Sequence, residues 1–347
     1  MCAVVFDAMG AGKTLGPELD RGGEGTVYLL PERADLVVKI YAPEKLASRG
    51  DQLRDKVEVQ IATWPGLKDQ PLAWPRMSIY DDQGQWIGYV MRRGAGVTLR
   101  KLAHPKLSNQ HFPGLSRHFV VESLLQVLRC VQTLHRQGIH LGDVNLNNFL
   151  CDPVSGQVTL IDCDSFQIAP SNGPFFPCPV GSQDTTAPEH LGVDFARVRR
   201  TSASDAFSLA ILMFQCLMLG RHPYDSVGGC NPVDNLRQGH FPYGKGGARP
   251  GSQGAIPQGP WYLLWSHLSG RLKNAFIQTF TEGAANPLAR PGIDDWCLLL
   301  KQYQYSIRQG WLSDEIRPTA PKPQGKLRGA SANTLNKQPL QASNWVS

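Results

Sequence analysis

The sequence lacks the closely spaced cysteines that build disulfide frameworks and zinc sites. Its eight cysteines include no Cys-x-x-Cys pair and no cysteine–histidine metal spacing, so we expect free thiols in a reducing cytoplasm. Long hydrophobic runs are missing as well, because the most apolar stretch, residues 207–220, is shorter than the roughly 20 residues that span a bilayer. These absences argue against a disulfide-stapled secreted domain and predict a cytoplasmic protein without a membrane span.

Acidic residues are absent after Glu315. The net charge is +6, but five of the 35 basic residues lie beyond position 315, so the rest of the chain is nearly neutral, at about +1. A dedicated nucleic-acid-binding protein would carry a basic face, which this distribution does not predict. Residues 313–347 are also poor in large apolar side chains, and we expect them to form a disordered basic tail.

Two regions of different pattern make up the rest of the chain, which is long enough for one large domain or two lobes. The first hundred residues carry strand patterns, with one helical spacing over residues 44–62. After Leu99 the pattern becomes helical and is interrupted by a hairpin. The predicted helices lie near residues 121–134, 204–219, 261–282 and 292–308, and the hairpin pairs residues 148–151 with 158–162.

An apparent phosphate-binding loop near the N-terminus, residues 10–14, is a poor candidate. The Walker loop needs a glycine where Asp7 stands and a helix directly after its Lys-Thr pair. Here Leu15-Gly16-Pro17 follows, which is a weak helix start.

A second glycine-rich segment, residues 19–28, reads as strand-turn-strand and contains three glycines: Gly22, Gly23 and Gly25. Glycine lets the backbone approach phosphate oxygens because no Cβ is in the way. Lys39 follows in an apolar strand, where an unpaired ammonium would be unfavourable. Glu58, in the predicted helix, can supply a carboxylate partner. The alternative is an ordinary hairpin turn with a surface lysine on an edge strand.

The most specific cluster lies around the second hairpin. Asp143 precedes Asn148 by five residues, and Asp162 ends the following strand. The hairpin brings Asn148 and Asp162 to its open end, where carboxylate and amide oxygens suit a hard cation such as Mg²⁺. Asp143 lies in a loop and is free to receive a proton. The alternative is a set of ordinary turn residues.

These residues, in this order, resemble the protein-kinase family over about residues 15–308. Thr186-Ala187-Pro188-Glu189 is similar to the motif that closes the activation segment, and Arg290 to the arginine that pairs with its glutamate. Asp205 lies at the start of a stretch that resembles the buried helix anchoring the catalytic loop.

The resemblance implies an α+β, bilobal protein-kinase-like fold with a small, mostly-β N-lobe that holds one helix and a larger, mostly-α C-lobe. The implied boundaries are an N-terminal extension at 1–14, the N-lobe at 15–95, the C-lobe at 96–312 and the tail at 313–347. The implied roles are catalysis by Asp143 and Lys39, metal binding by Asn148 and Asp162, and ATP binding by Leu19, Gly22, Gly23, Gly25, Val27, Val37, Lys39, Glu58, Met91, Arg93 and Leu150. Mg²⁺, or alternatively Mn²⁺, is the implied metal, and ATP is the implied co-substrate.

Three departures from the family pattern stand close to the predicted site. Gly142 replaces the arginine before the catalytic aspartate, Asn145 replaces the catalytic-loop lysine, and Asp-Phe-Gly is Asp162-Cys163-Asp164. Gly142-Asp143 and the missing lysine are similar to aminoglycoside and choline kinases. The segment around Cys163 resembles bacterial kinases found beside von Willebrand-type and PP2C-phosphatase proteins in tellurite-resistance-type gene sets, which implies such proteins as partners.

Three functions therefore stand beside one another. The favoured prediction is a serine/threonine protein kinase that acts on a protein substrate, with neither nucleic acid nor membrane as a partner. A small-molecule kinase ranks lower, because residues 223–260 contain few acids with which to bind a cationic acceptor. A pseudokinase scaffold ranks third, because the predicted base, phosphate lysine and metal ligands are all present.

Overall fold

The computed structural model describes residues 4–170, 173–244, 254–257 and 259–322. These residues form the two lobes that the sequence predicts, the first mostly sheet and the second mostly helix. The smaller lobe is a seven-stranded antiparallel sheet in the order β2-β1-β6-β7-β5-β4-β3. Its strands are β1 (Val4–Asp7), β2 (Gly12–Thr14), β3 (Glu18–Arg21), β4 (Gly25–Leu29), β5 (Leu36–Tyr41), β6 (Pro75–Tyr80) and β7 (Trp86–Arg92).

Helix α1 (Pro43–Thr63) is the long helix of this lobe and packs against β6 and β7. Its buried positions are Lys56, Val57 and Gln60. Val57 joins an apolar cluster with Tyr41 and Met91. The helix therefore turns one face toward the strands that carry the predicted nucleotide residues.

The residues predicted as an N-terminal extension instead belong to the sheet. Strands β1 and β2 form a hairpin, and β1 pairs with β6. Val5 is buried against Val38 and Ile79, which explains why this apolar stretch is ordered. The Walker-like segment is the turn and second strand of that hairpin, and no helix follows it, as predicted.

The larger lobe is built mainly of helices around one core. Its helices are α2 (Leu99–Ala103), α3 (Leu107–His111), α4 (Arg117–Arg136), α5 (Ser202–Leu217), α6 (Pro232–Arg237), α7 (Trp261–Ser266), α8 (Gly270–Phe280), α9 (Glu282–Ala285) and α10 (Ile293–Arg308). Its short strands are β8 (Val97–Thr98), β9 (Ile139–His140), β10 (Phe149–Cys151), β11 (Val158–Leu160) and β12 (Gln167–Ile168).

Helix α5 lies at the centre of this lobe. It is apolar on nearly every side, the pattern of a helix enclosed by others. Its N-terminus is closed by a capping box, in which Thr201 and Ser204 satisfy each other's backbone amides. Asp205 follows in the first turn and is 1% exposed, so a buried carboxylate sits at a fixed point beneath the catalytic loop.

The segment predicted to be disordered from residue 313 is partly ordered, and the prediction is wrong for residues 313–322. Ile316 is 4% exposed, and the Glu315 carbonyl accepts a hydrogen bond of 2.8 Å from the buried Arg117 guanidinium. The Lys322 amide donates to Ser266 Oγ. Backbone groups rather than apolar side chains hold most of this segment, which composition does not reveal. Residues 323–347 of the predicted tail lie outside the described part of the chain.

The seven cysteines in the described ranges are all free, as predicted, and Cys2 lies outside those ranges. None of the helices that the structure describes is long and apolar enough to cross a membrane.

Candidate active site in the cleft between the lobes

A cavity of about 530 Å³ opens between the two lobes. The glycine turn and Lys39 line it from the small lobe, and Asp143, Asn148 and Asp162 line it from the large one. The structure therefore brings together the predicted phosphate, base and metal residues, which are up to 140 positions apart in the chain.

The glycine turn joins β3 to β4 and closes on itself. The Gly22 amide donates to the Gly25 carbonyl at 2.9 Å, and the Gly25 amide donates back at 3.3 Å. A Cβ at Gly22 or Gly23 would meet no neighbour, so that backbone faces open space. Gly25 differs, because a Cβ there would collide with the backbone of Ile40.

Lys39 is held by Asp164, which the sequence prediction did not include. The ammonium lies 2.9 and 2.8 Å from the two oxygens of Asp164, and Tyr41 donates its hydroxyl to the same carboxylate at 2.7 Å. Asp162 is farther away, at 3.7 Å. Burial by itself would lower the pKa of Lys39, but these carboxylates raise it above its ordinary value. Burial opposes ionisation of Asp164, yet Lys39 and Tyr41 lower its pKa to about 2.

The predicted pairing of Lys39 with Glu58 is wrong in this structure. Glu58 is exposed, and its carboxylate accepts a hydrogen bond from Ser78 on β6. From α1, the cavity is lined by Arg49, Gln52, Leu53 and Lys56, and Gln60 is buried one turn after Lys56. An α-helix turns by about 200° over two residues, so Glu58 lies on nearly the opposite side of the helix from Lys56.

Lys56 is a buried cation without a carboxylate partner among the described residues. Its ammonium donates to the carbonyls of Ser165 and Pro177, at 3.0 and 3.3 Å. Burial lowers its pKa to about 8. Gln60, one turn later, donates to the Cys163 carbonyl at 2.7 Å. Helix α1 thus holds the backbone on both sides of Asp164.

Asp143 is surrounded by hydrogen-bond donors. Its Oδ1 accepts from the amide and the hydroxyl of Ser182, at 2.9 and 3.0 Å. Its Oδ2 accepts from the side-chain amides of Asn145 and Asn148, at 3.0 and 3.3 Å. Asn145, which stands where the family has a lysine, therefore contacts the predicted base directly.

Asp205 fixes the loop that carries Asp143, as predicted. Its carboxylate accepts from the amides of Leu141 and Gly142, at 2.8 and 3.2 Å, and contacts the His135 ring at 2.9 Å. The interaction with His135 and the backbone amides lowers the pKa of Asp205 despite its burial. A permanent negative charge thus orients the loop.

Gly142 has a structural reason to be glycine. Its φ of 72° lies in the left-handed region. A Cβ at this position would lie 2.6 Å from the Cβ of Cys178 in the activation segment. The space that an arginine side chain would need is filled by the thiol of Cys178.

The predicted metal pair fits a divalent cation. The Asn148 side-chain nitrogen is engaged with Asp143, which leaves its oxygen available to the cavity. Desolvation in the cleft, together with Asp164, Asp20 and Asp143, raises the pKa of Asp162 against the opposing effect of Lys39, although its side chain is 56% exposed. Such an excess of negative charge is what a divalent cation offsets. Asp162 also has left-handed backbone angles, φ 55° and ψ 34°.

Glu189 and Arg290 form the predicted ion pair beneath the activation segment. Both nitrogens of the guanidinium fork lie 2.7 Å from carboxylate oxygens. Arg290 also donates to the Gly283 and Ala203 carbonyls, and its side chain is 1% exposed. The pair connects the end of the activation segment to the segment before α10.

Among the remaining residues predicted to bind ATP, only Val27 is one of those that line this cavity, and Leu19, Val37, Met91, Arg93 and Leu150 are not. Val37 and Met91 pair across β5 and β7 in one buried cluster, and Leu150 lies beside Gly94. The Arg93 amide donates to the Asp35 carbonyl at 2.8 Å and so continues the sheet. Leu19 is 46% exposed on β3. Their roles toward ATP stay predictions.

Sequence reasoning missed four residues that complete the site: Tyr41, Lys56, Asp164 and Ser182. The signal for Asp164 was present, because a carboxylate two residues after a predicted metal ligand is a second candidate partner for Lys39. Lys56 could not be placed, since a helical pattern does not state which polar residue turns inward.

Comparison with known proteins finds similarity to protein kinases. The family described as "Protein kinase domain" matches residues 87–241. "Protein kinase YegI" of Escherichia coli O157:H7 is 31% identical over 315 residues, which cover 89% of this chain and 47% of that protein. The protein of the same name from strain K12 is 31% identical over 311 residues. The chain spans about half the length of these curated relatives.

Proposed function

Because the chain belongs to the protein-kinase superfamily, we propose that it is an ATP- and Mg²⁺-dependent serine/threonine protein kinase. The observation that carries the proposal is the convergence of Asp143, Lys39 and the Asn148–Asp162 pair on one cavity. Residues of these types supply the positioning and charge compensation on which phosphoryl transfer depends. A cytoplasmic location is part of the proposal and agrees with the free buried thiols.

Each group of residues around the cavity has its own proposed role. The glycine turn presents backbone without a Cβ toward the cavity, and Lys39 places a positive charge where phosphate oxygens are expected. Asn148 and Asp162 would hold Mg²⁺, which would offset negative charge on the transferred group. Asp143 would orient the acceptor hydroxyl and accept its proton at a carboxylate oxygen.

A hydroxyl acceptor is supported by a contact in the site. Ser182 Oγ lies 3.0 Å from Asp143 Oδ1, so an aliphatic hydroxyl reaches this carboxylate at hydrogen-bond distance. The donor and acceptor roles match the first step of general-base catalysis. Serine or threonine of a protein substrate carries the same hydroxyl.

The test is single-turnover phosphorylation with labelled ATP, offered generic proteins, aminoglycosides and choline in parallel. Asp143→Asn should lower the rate by about 100-fold or more and leave the affinity for Mg-ATP nearly unchanged. The matched control is Asp194→Asn, which changes an exposed carboxylate outside the cavity and should keep the parent rate.

Three results would contradict the proposal. Binding of Mg-ATP without transfer to any acceptor would favour the scaffold alternative. Transfer only to the small molecules would favour the small-molecule kinase. Transfer by Asp143→Asn at the parent rate would show that the base is another residue.

A further inference from the structure

We propose that Asp164 is the residue that positions Lys39 for the nucleotide, in place of a glutamate on helix α1. This inference rests on the proposed function and deepens it. It places the phosphate-binding lysine under the control of the same loop that carries the metal ligand Asp162. Helix α1 then acts on that loop, and the ion-pair partners of Lys39 among the described residues come from the loop and not from the helix.

The Lys39–Asp164 contact has the geometry of a positioning pair. The lysine lies within 2.9 Å of both carboxylate oxygens, and the two side chains are 8% and 7% exposed. Tyr41, two positions after Lys39 on β5 and so on the same face of the strand, holds one of those oxygens. A buried, doubly bonded carboxylate restricts the ammonium far more than an exposed ion pair would.

Two carboxylates of the small lobe, Glu58 and Glu24, are engaged elsewhere. Glu58 accepts from Ser78 on the far side of α1. Glu24 pairs with Lys45 at 3.0 Å and with Arg49. At the position where α1 faces the cleft, Lys56 presents a positive charge, which would repel Lys39.

Helix α1 contributes through the backbone around Asp164. Gln60 donates to the Cys163 carbonyl and Lys56 to the Ser165 carbonyl, so the residues on both sides of Asp164 are held by the helix. Lys56 also reaches the Pro177 carbonyl in the activation segment. A shift of α1 would therefore move Asp164 and, through it, Lys39.

The experiment compares Asp164→Asn with Glu58→Gln in the full chain. Asp164→Asn should lower the single-turnover rate by about 100-fold, the scale of a misplaced catalytic contact. Glu58→Gln should keep the parent rate, because its carboxylate faces Ser78. A fluorescent ATP analogue, titrated with and without Mg²⁺, reports binding separately from transfer. With Asp164→Asn, affinity should fall less than the rate in both titrations.

Two further variants sharpen the test, and the first of them does not require that Asp164→Asn folds. Tyr41→Phe removes one donor to Asp164 without removing charge, and should lower the rate by about three- to tenfold in a protein that still folds, with a modest fall in melting temperature. Adding Lys56→Glu to Asp164→Asn returns a carboxylate from the helix side and should recover at least about tenfold of the lost rate.

The outcomes separate the two proposals. Asp164→Asn at the parent rate, or an equal loss in Glu58→Gln, would overturn the role of Asp164 while the protein remains a kinase. A parent protein that binds no Mg-ATP would overturn the proposed function itself. Tyr41→Phe at the parent rate, together with no recovery by Lys56→Glu, would reduce Asp164 to a structural residue.

Discussion

The two walls of the cleft are built differently. On the large-lobe wall, Asp143 lies on a loop held by Asp205, and the activation segment is held by Glu189 and Arg290. On the small-lobe wall, the glycine turn is held by its own backbone bonds and by contacts of Glu24 with α1, and Lys39 depends on Asp164 from the opposite lobe. The large lobe therefore sets the geometry of the site, and the small lobe is aligned to it.

The difference shows where mutations should affect stability and where they should affect the alignment of the lobes. Arg290 and Asp205 are buried charges inside one lobe, so their loss leaves partners stranded in a dry environment. Lys39, Lys56 and Gln60 act between the lobes. Changing them should alter alignment more than it alters folding of the larger lobe.

The largest expected effect tests the rigidity of the large-lobe wall. Arg290→Ala strands Glu189 and removes hydrogen bonds to two carbonyls. The free energy of unfolding should fall by about 3–5 kcal/mol, measured by denaturant titration. Arg271→Ala, which removes an exposed contact to Gln302, is the control and should change little. If Arg290→Ala and the parent have the same free energy of unfolding, the large-lobe wall is not more rigidly held than the small-lobe wall.

A second, smaller effect concerns the ordered segment 313–322, which packs against the large lobe. Ending the chain at Leu312 exposes the pocket of Ile316 and removes an acceptor from Arg117. We expect a loss of about 2–3 kcal/mol in the free energy of unfolding. A chain that ends at Lys322 keeps both contacts and serves as the comparison. A matching melting temperature for the two shortened chains would show that the segment adds nothing.

The smallest expected effect tests whether Lys56 of α1 is buried in the wall of the cleft. The pKa of Lys56 is about 8 in the folded protein, below its ordinary value of 10.5. The unfolded chain therefore binds more protons between these values, and the free energy of unfolding rises with pH in that window. Relative to Lys56→Met, the parent should gain about 1–2 kcal/mol between about pH 7.5 and about pH 9.5. Denaturant titrations at the two pH values measure the gain, and a flat difference would mean that Lys56 is solvated.

The sequence predicted the large-lobe wall well because its contacts depend on short motifs. Asp205 follows directly from a helix start, and Glu189 and Arg290 each stand beside a proline that limits the local backbone. The division into a mostly-strand and a mostly-helical region follows from the change in periodicity near Leu99, and the resemblance to protein kinases implied the bilobal fold. The resemblance to protein kinases identified these short motifs, although the Glu189–Arg290 contact joins residues 101 positions apart.

The small-lobe wall was harder to predict because it depends on the rotation of one helix. Polar residues occupy several faces of α1, and burial of Lys56 in place of Glu58 contradicts the usual preference for burying paired charges. The sequence also did not predict that residues 313–322 are ordered. Arg117 donates a hydrogen bond to a backbone carbonyl of this segment, and residue composition carries no information on such backbone contacts.

The left-handed backbone of Asp162 has a consequence for which residues this position admits. Outside glycine, aspartate and asparagine enter that region most readily, and β-branched residues do so least. Saturation mutagenesis scored by folded yield should therefore rank Asn and Gly beside the native residue, and Val and Ile last. Asn would keep the loop and lose the charge. A homologue with Asn at this position would have the same fold as this protein. Only a metal titration would show the effect of the lost charge.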